Sequence, residues 1–243
     1  MNKNKSIKFN FFLILIMSII GFSITVRISY ANNELNEGSS KSIEKKAYIT
    51  IDDGPSKYTN EILEVLNKYN AKATFFMIDS NMRIYKEEVN SIIDNGNTPG
   101  FHSVSHDIHE LYKTSESAKE EFDINKETLI EVAGVESNIV RLPYGSKPYT
   151  PYNSYESLVE AGYKMWDWNI DTEDWKVGGD QTLENVKTYS KGKNNIVILM
   201  HERKETAKRL DKILNYLSQE GYEFIPIDEN EIPQNFWLNN LRR

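Results

Sequence analysis

From Ala47 onward, apolar runs of strand length alternate with amphipathic helical patterns, and this alternation constrains the fold more than any other feature of the chain. Ala47–Ile51, Ala73–Ile78, Asn138–Leu142, Tyr163–Asn169, Asn195–Met200 and Tyr222–Ile227 read as strands. They are mostly apolar throughout, as strands buried on both faces are. Between them Ile62, Val65, Leu66 and Tyr69 form one helical stripe, and Ala207, Leu210, Ile213, Leu214 and Leu217 another. Gly96, Gly134 and Gly221 stand where such helices stop. The pattern predicts a single α/β domain with a parallel sheet or barrel, and in such folds function gathers at the carboxyl ends of the strands.

Composition removes several classes of chemistry. The 243 residues contain no cysteine, which excludes disulfides, thiolate-bound metal, thiol catalysis and an acylated-cysteine anchor. A net charge of −7 argues against a nucleic-acid partner. The chain opens with Lys3, Lys5 and Lys8, followed by eighteen uncharged residues from Phe9 to Val26 and then Arg27. This reads as an export signal, with Ser29-Tyr30-Ala31 as the processing site, or as an uncleaved membrane anchor. As a helix the run would be roughly 27 Å long against a bilayer core of about 30 Å, so length does not separate the two. Without residues 1–31 the chain keeps 25 basic residues (29 less four) against 36 acidic ones, a net of −11. The affinity of such an exported protein for an anionic wall must come from local contacts. Residues 32–46 are polar and weakly patterned, as a linker is, which leaves 47–243 as the functional domain.

Five strand-end segments carry the chemistry. Thr50-Ile51-Asp52-Asp53-Gly54-Pro55 places two adjacent carboxylates after the first strand. Successive strand residues face opposite ways, so both serve one site only if the backbone bends, and Gly-Pro is expected to supply the bend. Read blandly, this is a turn with solvated acids. His102 and His106 stand four apart, a spacing that puts both on one face of a helical turn, where they close on one metal ion. With Asp53 they would make three ligands and leave a position open for water. His109 breaks the spacing and reads as a surface or supporting residue. Arg141-Leu142-Pro143-Tyr144-Gly145 offers an arginine able to clamp a carboxylate through two hydrogen bonds, and a turn able to aim a backbone N–H at an oxyanion. Asp171-Thr172-Glu173-Asp174-Trp175 sets an aromatic directly after acids, as in the wall of a sugar pocket, while Trp166 and Trp168 fit core packing. Ile196–His201 is a buried strand ending in a histidine, either a neutral core residue or a general acid.

In this order the five segments resemble the motifs of the polysaccharide deacetylases with NodB homology, carbohydrate esterase family 4, and the likeness runs from about Ala47 to Ile227. The stretch Ile232–Trp237 resembles the end of wall-directed deacetylases of Gram-positive bacteria. The resemblance implies a distorted (β/α) barrel of about seven parallel strands. Asp53, His102 and His106 would hold a divalent metal, Zn2+ or another transition ion such as Co2+. Asp52 would be the general base, oriented by Arg141, and His201 the general acid, oriented and charged by Asp174. Trp175 and Leu199 would line the pocket for the acetyl methyl, and the Tyr144 N–H would serve the oxyanion. The implied activity is hydrolysis of N-acetyl groups on N-acetylglucosamine-type units of peptidoglycan or a related glycan, by a monomer at the extracellular face. Its membrane contact would come only through an uncleaved amino-terminal segment. An O-acetyl esterase of the xylan type and a non-catalytic wall-binding protein are the alternatives. Ile51 and Phe101 depart from the family's usual Phe and Asn, and Asn97-Thr98-Pro99 from its usual His-Glu-Ile.

Overall fold

A computed structural model describes residues 44–241. The amino-terminal segment read as signal or anchor therefore lies outside the described residues. Eight strands form one sheet: β1 (Lys45–Gly54), β2 (Ala73–Met77), β3 (Thr98–Phe101), β4 (Ile139–Val140), β5 (Lys164–Met165), β6 (Ile170–Asp171), β7 (Asn195–His201) and β8 (Tyr222–Phe224). Their order is β5-β4-β3-β2-β1-β7-β6, and β8 pairs with the first residues of β1. All pairings are parallel. This is the expected distorted barrel, curled and open between β5 and β6. Residues 166–169 span that opening, with the Trp166 N–H donating to Val140 O on one edge and the Asn169 N–H to Val197 O on the other.

Helices cover the outside: α1 (Thr59–Lys68), α2 (Asp79–Ile84), α3 (Lys86–Asp94), the single turn α4 (Ile108–Leu111), α5 (Ser117–Ala133), α6 (Tyr152–Glu160), α7 (Gln181–Ser190) and α8 (Lys204–Gln219). Among the described residues no helix is long and apolar enough to cross a membrane. The α8 stripe is as expected, with Ala207, Leu210, Ile213, Leu214 and Leu217 all buried. The larger of these side chains each contribute roughly 1.5–3 kcal/mol by leaving water. Gly134 ends α5 in the left-handed region at φ 69°, a conformation that costs glycine nothing.

Strand alternation divides the core in two. Ile49 and Ile51 of β1, Phe75 and Met77 of β2, and Ile196, Ile198 and Met200 of β7 pack outward under the helices. Tyr48, Phe76 and Val197 point into the barrel, where they join Ile139, Trp166 and Ile227. Along β1 the inward positions therefore run Tyr48, Thr50, Asp52, and along β7 Val197, Leu199, His201. Each column starts apolar at the floor and ends in an ionisable group at the carboxyl rim.

Two strand expectations need correction. The run Tyr163–Asn169 is not one strand. Lys164–Met165 pairs with β4, Ile170–Asp171 pairs with β7, and the residues between them bridge the opening. β3, Thr98-Pro99-Gly100-Phe101, was not expected to be a strand, because Pro and Gly are poor strand formers. Tertiary packing overrides that propensity. A Cβ on Gly100 would come within 2.8 Å of Phe76 and 3.2 Å of the Ile139 carbonyl, so only glycine fits between the barrel's inner ring and β4.

Candidate active site

All five sequence segments arrive at the carboxyl rim. Asp52 is the residue abreast of His201 in the β1–β7 pairing, so both side chains enter the barrel mouth from neighbouring strands. After Asp52 the β1–β2 register slips in a bulge, and Asp53 takes φ 69°. The bend that brings both carboxylates to one site is thus made by Asp53 itself, one residue earlier than the expected Gly-Pro turn. Asn81 Nδ2 holds the bent peptide through Asp53 O at 2.8 Å.

His102 and His106 converge as expected, but not on a helical turn. Residues 102–107 form a loop in which Ser103 has φ 72° and His106 φ 51°. The loop is held from α5: Glu121 Oε2 accepts from the N–H groups of Val104 (2.8 Å) and Ser105 (2.9 Å), and Asn125 Nδ2 donates to Ser103 O at 3.2 Å. Of the seven non-glycine residues with positive φ among the described residues, five (Asp53, Ser103, His106, Tyr144 and Glu173) lie in the sequence segments singled out for chemistry. Strained backbone gathers where side chains must be aimed.

The result is a compact ligand set, with one donor atom each from Asp53, His102 and His106 all within 4.8 Å of one another. Nε2 of His102 is 3.6 Å and Nε2 of His106 is 3.5 Å from Asp53 Oδ1. The Nδ1 of buried His102 stands 2.8 Å from the Arg141 carbonyl. A carbonyl only accepts, so Nδ1 carries the proton and the Nε2 lone pair faces the cluster. Burial lowers the His102 pKa to about 3, against the opposing pull of Asp53, so the ring is neutral at ordinary pH. Asp53 Oδ1 is buried without a hydrogen-bond partner among the described residues. An unpaired carboxylate oxygen facing two imidazole Nε2 atoms fits a divalent cation, and the N/O donor set suits zinc and its neighbours.

Two acid–base assemblies flank this cluster. Arg141 is fully buried, and its Nη1 donates to Asp52 Oδ1 at 2.9 Å and to Thr50 Oγ1 at 2.6 Å. The expected two-bond clamp on the carboxylate is therefore a single bond. The remaining donors tie down the bridging segment instead, Nε to Trp166 O and Nη2 to Asp167 O, each at 3.0 Å. Burial raises the Asp52 pKa, although the charges of Arg141 and His201 pull it back. On the other flank Asp174 accepts from His201 Nδ1 and from the His201 N–H, both at 2.7 Å, and from Thr206 Oγ1 at 2.6 Å. Burial alone would lower the His201 pKa, but the hydrogen bond to Asp174 and the charges of Asp52 and Asp174 outweigh it and raise it. Asp174 is correspondingly lowered, because its bonds to His201 overcome burial.

A cavity of about 490 Å³ opens over these groups, and Tyr144, Trp168, Trp175 and Leu199 are among its walls. Trp166 is the core tryptophan, whereas Trp168 belongs to the cavity. The Tyr144 ring meets His106 edge-on at 5.3 Å, and its N–H has no hydrogen-bond partner among the described residues. His109 is exposed, away from the ligand cluster.

Four supporting residues were missed in the sequence. Glu121 and Asn125 sit four apart on α5, a spacing that puts both on the face toward the histidine loop. Glu202 directly follows His201, the last residue of β7, and points out of the barrel toward Ser56 and Thr59. Its buried carboxylate accepts from Ser56 Oγ (2.8 Å) and Thr59 Oγ1 (2.5 Å), and its N–H donates to Asp52 O at 2.8 Å. Asp167 anchors the turn after Tyr144 by accepting from Ser146 N–H and Oγ, and it also accepts from Phe236 N–H.

Comparison with known proteins places these features in context. A family model described as polysaccharide deacetylase matches residues 39–166, just over half of the chain. The chain is similar to a peptidoglycan-N-acetylglucosamine deacetylase of Bacillus cereus, 36% identical over 81% of this chain and 74% of the relative. It is also similar to the peptidoglycan-N-acetylmuramic acid deacetylase PdaC of Bacillus subtilis, 28% identical over 77% of this chain and 39% of the relative. The crystal structure of a Bacillus cereus polysaccharide deacetylase superposes with a TM-score of 0.76 at 36% identity, covering 81% of this chain and 99% of that one.

Proposed function

The chain belongs to the polysaccharide deacetylase family, and from that premise we propose that it hydrolyses N-acetyl groups of N-acetylglucosamine-type units in peptidoglycan or a related glycan, releasing acetate. One observation carries the reading: a three-ligand cluster with an unpaired buried oxygen lies between a carboxylate held by a buried arginine and a histidine held by a buried aspartate. A glycan-binding module without activity has no use for that pair.

Asp53, His102 and His106 would hold a divalent ion, Zn2+ being the first choice for this donor set. Such an ion polarises the acetyl carbonyl and acidifies water at neutral pH. Asp52, kept basic enough by burial and fixed by Arg141, takes the proton from the attacking water. The Tyr144 N–H, without a hydrogen-bond partner among the described residues, serves the oxyanion that forms on the acetyl oxygen. The amine leaves only once it is protonated. His201 delivers that proton from Nε2, since Nδ1 is committed to Asp174. Trp175 and Leu199 enclose the acetyl methyl. The basic and then apolar amino terminus supports export to the cell face, as a cleaved signal or an anchor, which matches a wall glycan as substrate.

Acetate release from peptidoglycan fragments and N-acetylglucosamine oligomers tests the reading. It is expected to vanish on chelation, return on adding Zn2+ or Co2+, and fall to background in His102→Ala. Activity that survives thorough chelation would sink it.

A further inference from the structure

After β8 the described chain forms no further helix or strand, yet it is closely bonded to the open side of the barrel. Gln234–Trp237, within the stretch Ile232–Trp237 picked out in the sequence, has no part in the chemistry above. It lies against the segment that bridges the opening. Gln234 O accepts from the Asp167 N–H at 2.9 Å, Asn235 Nδ2 donates to Met165 O at 3.0 Å, and the Phe236 ring meets Trp168 edge-on at 5.4 Å.

From there it reaches the turn that carries the Tyr144 N–H. Ser146, two residues after Tyr144, is held through every polar group it has. Its N–H and Oγ donate to the two oxygens of buried Asp167 at 2.8 and 2.5 Å, and its carbonyl accepts from Trp237 Nε1 at 2.9 Å. The same Asp167 Oδ2 accepts from the Phe236 N–H at 2.7 Å. Trp237 is fixed in turn by stacking on Tyr155 of α6, ring centroids 4.7 Å apart. The turn is also packed from below, since a Cβ on Gly145 would lie 3.0 Å from Trp168 and 3.1 Å from Phe236. Tyr144 at φ 65° holds a backbone shape that a tyrosine leaves unless its surroundings impose it. Asp167 has one more partner: its carbonyl accepts from Nη2 of Arg141, whose Nη1 holds Asp52. The proposed base and the oxyanion donor are thus both referred to one buried residue.

We propose that Asp167 and Trp237 are positioning residues that aim the Tyr144 N–H at the acetyl oxygen, with Gln234–Trp237 as the brace of that turn. This rests on the deacetylase reading and adds to it what makes the oxyanion donor rigid. A donor already aimed where charge develops lowers the barrier because it need not reorient, and small misplacements are costly.

Two variants test the brace. Asparagine at 167 keeps the shape but has one acceptor oxygen, and the Ser146 and Phe236 N–H groups use different oxygens, so one of them must face an amide NH2. Trp237→Phe keeps an aromatic ring beside Tyr155 and removes only the donor to Ser146 O, so it guards against a misfolded Asp167→Asn. With N-acetylglucosamine oligomers, kcat should fall roughly 10- to 100-fold in Asp167→Asn and roughly three- to tenfold in Trp237→Phe, the size of one neutral hydrogen bond. KM and Zn2+ affinity, by competition with a chromogenic chelator, should stay as in wild type. So should both limbs of the pH–rate profile in Trp237→Phe, which removes no charge. Independently of activity, backbone amide exchange followed by NMR on the zinc-loaded proteins should quicken at residues 144–147 in both variants and stay unchanged at 102–106. An unchanged kcat in both variants, a loss carried by KM or metal affinity, a moved limb in Trp237→Phe, or unchanged exchange at 144–147 each overturns the proposal. If wild type releases no acetate from any N-acetylated glycan, it is the deacetylase reading that fails, and the exchange rates still decide whether Asp167 and Trp237 hold the turn.

Discussion

Replacing Arg141 tests whether the buried pair under the site acts as the geometry implies. Arg141 and Asp52 are 0% and 2% exposed, and a single Nη1–Oδ1 bond of 2.9 Å joins them. Methionine is unbranched and apolar, and it fills most of the arginine's stem, which keeps the cavity cost small. What Arg141→Met removes is charge and donors. Leaving one member of a buried pair uncompensated costs about 3–5 kcal/mol. The carbonyls of Trp166 and Asp167 also lose their donors, at roughly 1 kcal/mol or more each where water cannot replace them. A loss of about 5–7 kcal/mol is a large share of the roughly 5–15 kcal/mol that holds a domain together, and it corresponds to a fall in Tm of about 10–28 °C at this size. The double variant Asp52→Asn/Arg141→Met removes the orphaned charge and should recover at least half of the loss. Arg141 is one of the influences holding the Asp52 pKa down, so without it burial acts less opposed and the pKa rises further. The folded state of the variant then binds a proton more readily than the unfolded state, and its deficit should narrow as the pH falls. The assay is urea unfolding followed by circular dichroism in the presence of chelator, so that metal binding does not add to stability. Equal stability of Arg141→Met and wild type, or strict additivity in the double variant, would refute the reasoning.

Asp174→Asn should lower the pKa of His201 and move the alkaline limb of kcat to lower pH, with kcat reduced roughly 10²- to 10⁴-fold, the range of a lost general acid; an unmoved limb in the pH–rate profile would exclude His201 as the acid. The stability of the pair has a defined window. The raised His201 pKa stabilises fully below its ordinary value and is lost as pH rises through the folded value. The lowered Asp174 pKa stabilises above its ordinary value and is lost as pH falls through the folded one. The difference in unfolding midpoint between wild type and Asp174→Asn should therefore be greatest between those limits and shrink towards both extremes. Glu202→Ala should cost about 1–3 kcal/mol and weaken Zn2+ affinity measured by competition with a chromogenic chelator, because the Ser56 hydroxyl loses its acceptor, the Thr59 hydroxyl is left with Ser56 O alone, and the Asp52–Asp53 bulge loosens. Glu202→Gln, which keeps the Oε1 acceptor, should bind metal within a few-fold of wild type, and a Glu202→Ala protein with unchanged affinity would remove Glu202 from the site's support.

Much of this arrangement was legible because local pattern and tertiary role agree in the central strands. β1 and β7 are apolar runs in sequence and fully paired strands in the fold, so the acids and histidine that end them reach the rim as read. The histidine pair was legible for the wrong reason. Spacing by four suggested a helix, whereas a loop fixed by Glu121 and Asn125 from sixteen to twenty-two residues away brings the rings together. Nothing in Ser103 or His106 announces a left-handed backbone, because that conformation is imposed by distant hydrogen bonds. β3 was illegible for a similar reason. Thr98-Pro99-Gly100-Phe101 has no strand signal of its own, and Gly100 is there for the Phe76 ring and the Ile139 carbonyl, contacts that only the closed sheet creates. Arg141 reads in sequence as a clamp on one carboxylate. Its bonds to Trp166 O and Asp167 O make it in addition the stitch across the open side of the barrel, and no linear pattern encodes the position of that opening.

The register between β1 and β7 links the two halves of the chemistry. Asp52 stands abreast of His201, and Thr50 of Leu199, so the proposed base and acid enter from one face of the sheet while Glu202, one residue on, points to the other face and braces α1. A slip of one residue would exchange His201 for Glu202 at the mouth and bury the histidine against Ser56 and Thr59. The apolar residues beneath resist that slip. Moving β7 by one would send Val197 and Leu199 out of the barrel and bring Ile198 and Met200 into the place beside Tyr48 and Trp166. The packing that holds the floor of the barrel thus also fixes which ionisable group faces the ligand cluster. Substitutions at Val197 should accordingly disturb the pH dependence of kcat as well as stability, although the side chain lies two strand positions below Leu199 and four below His201.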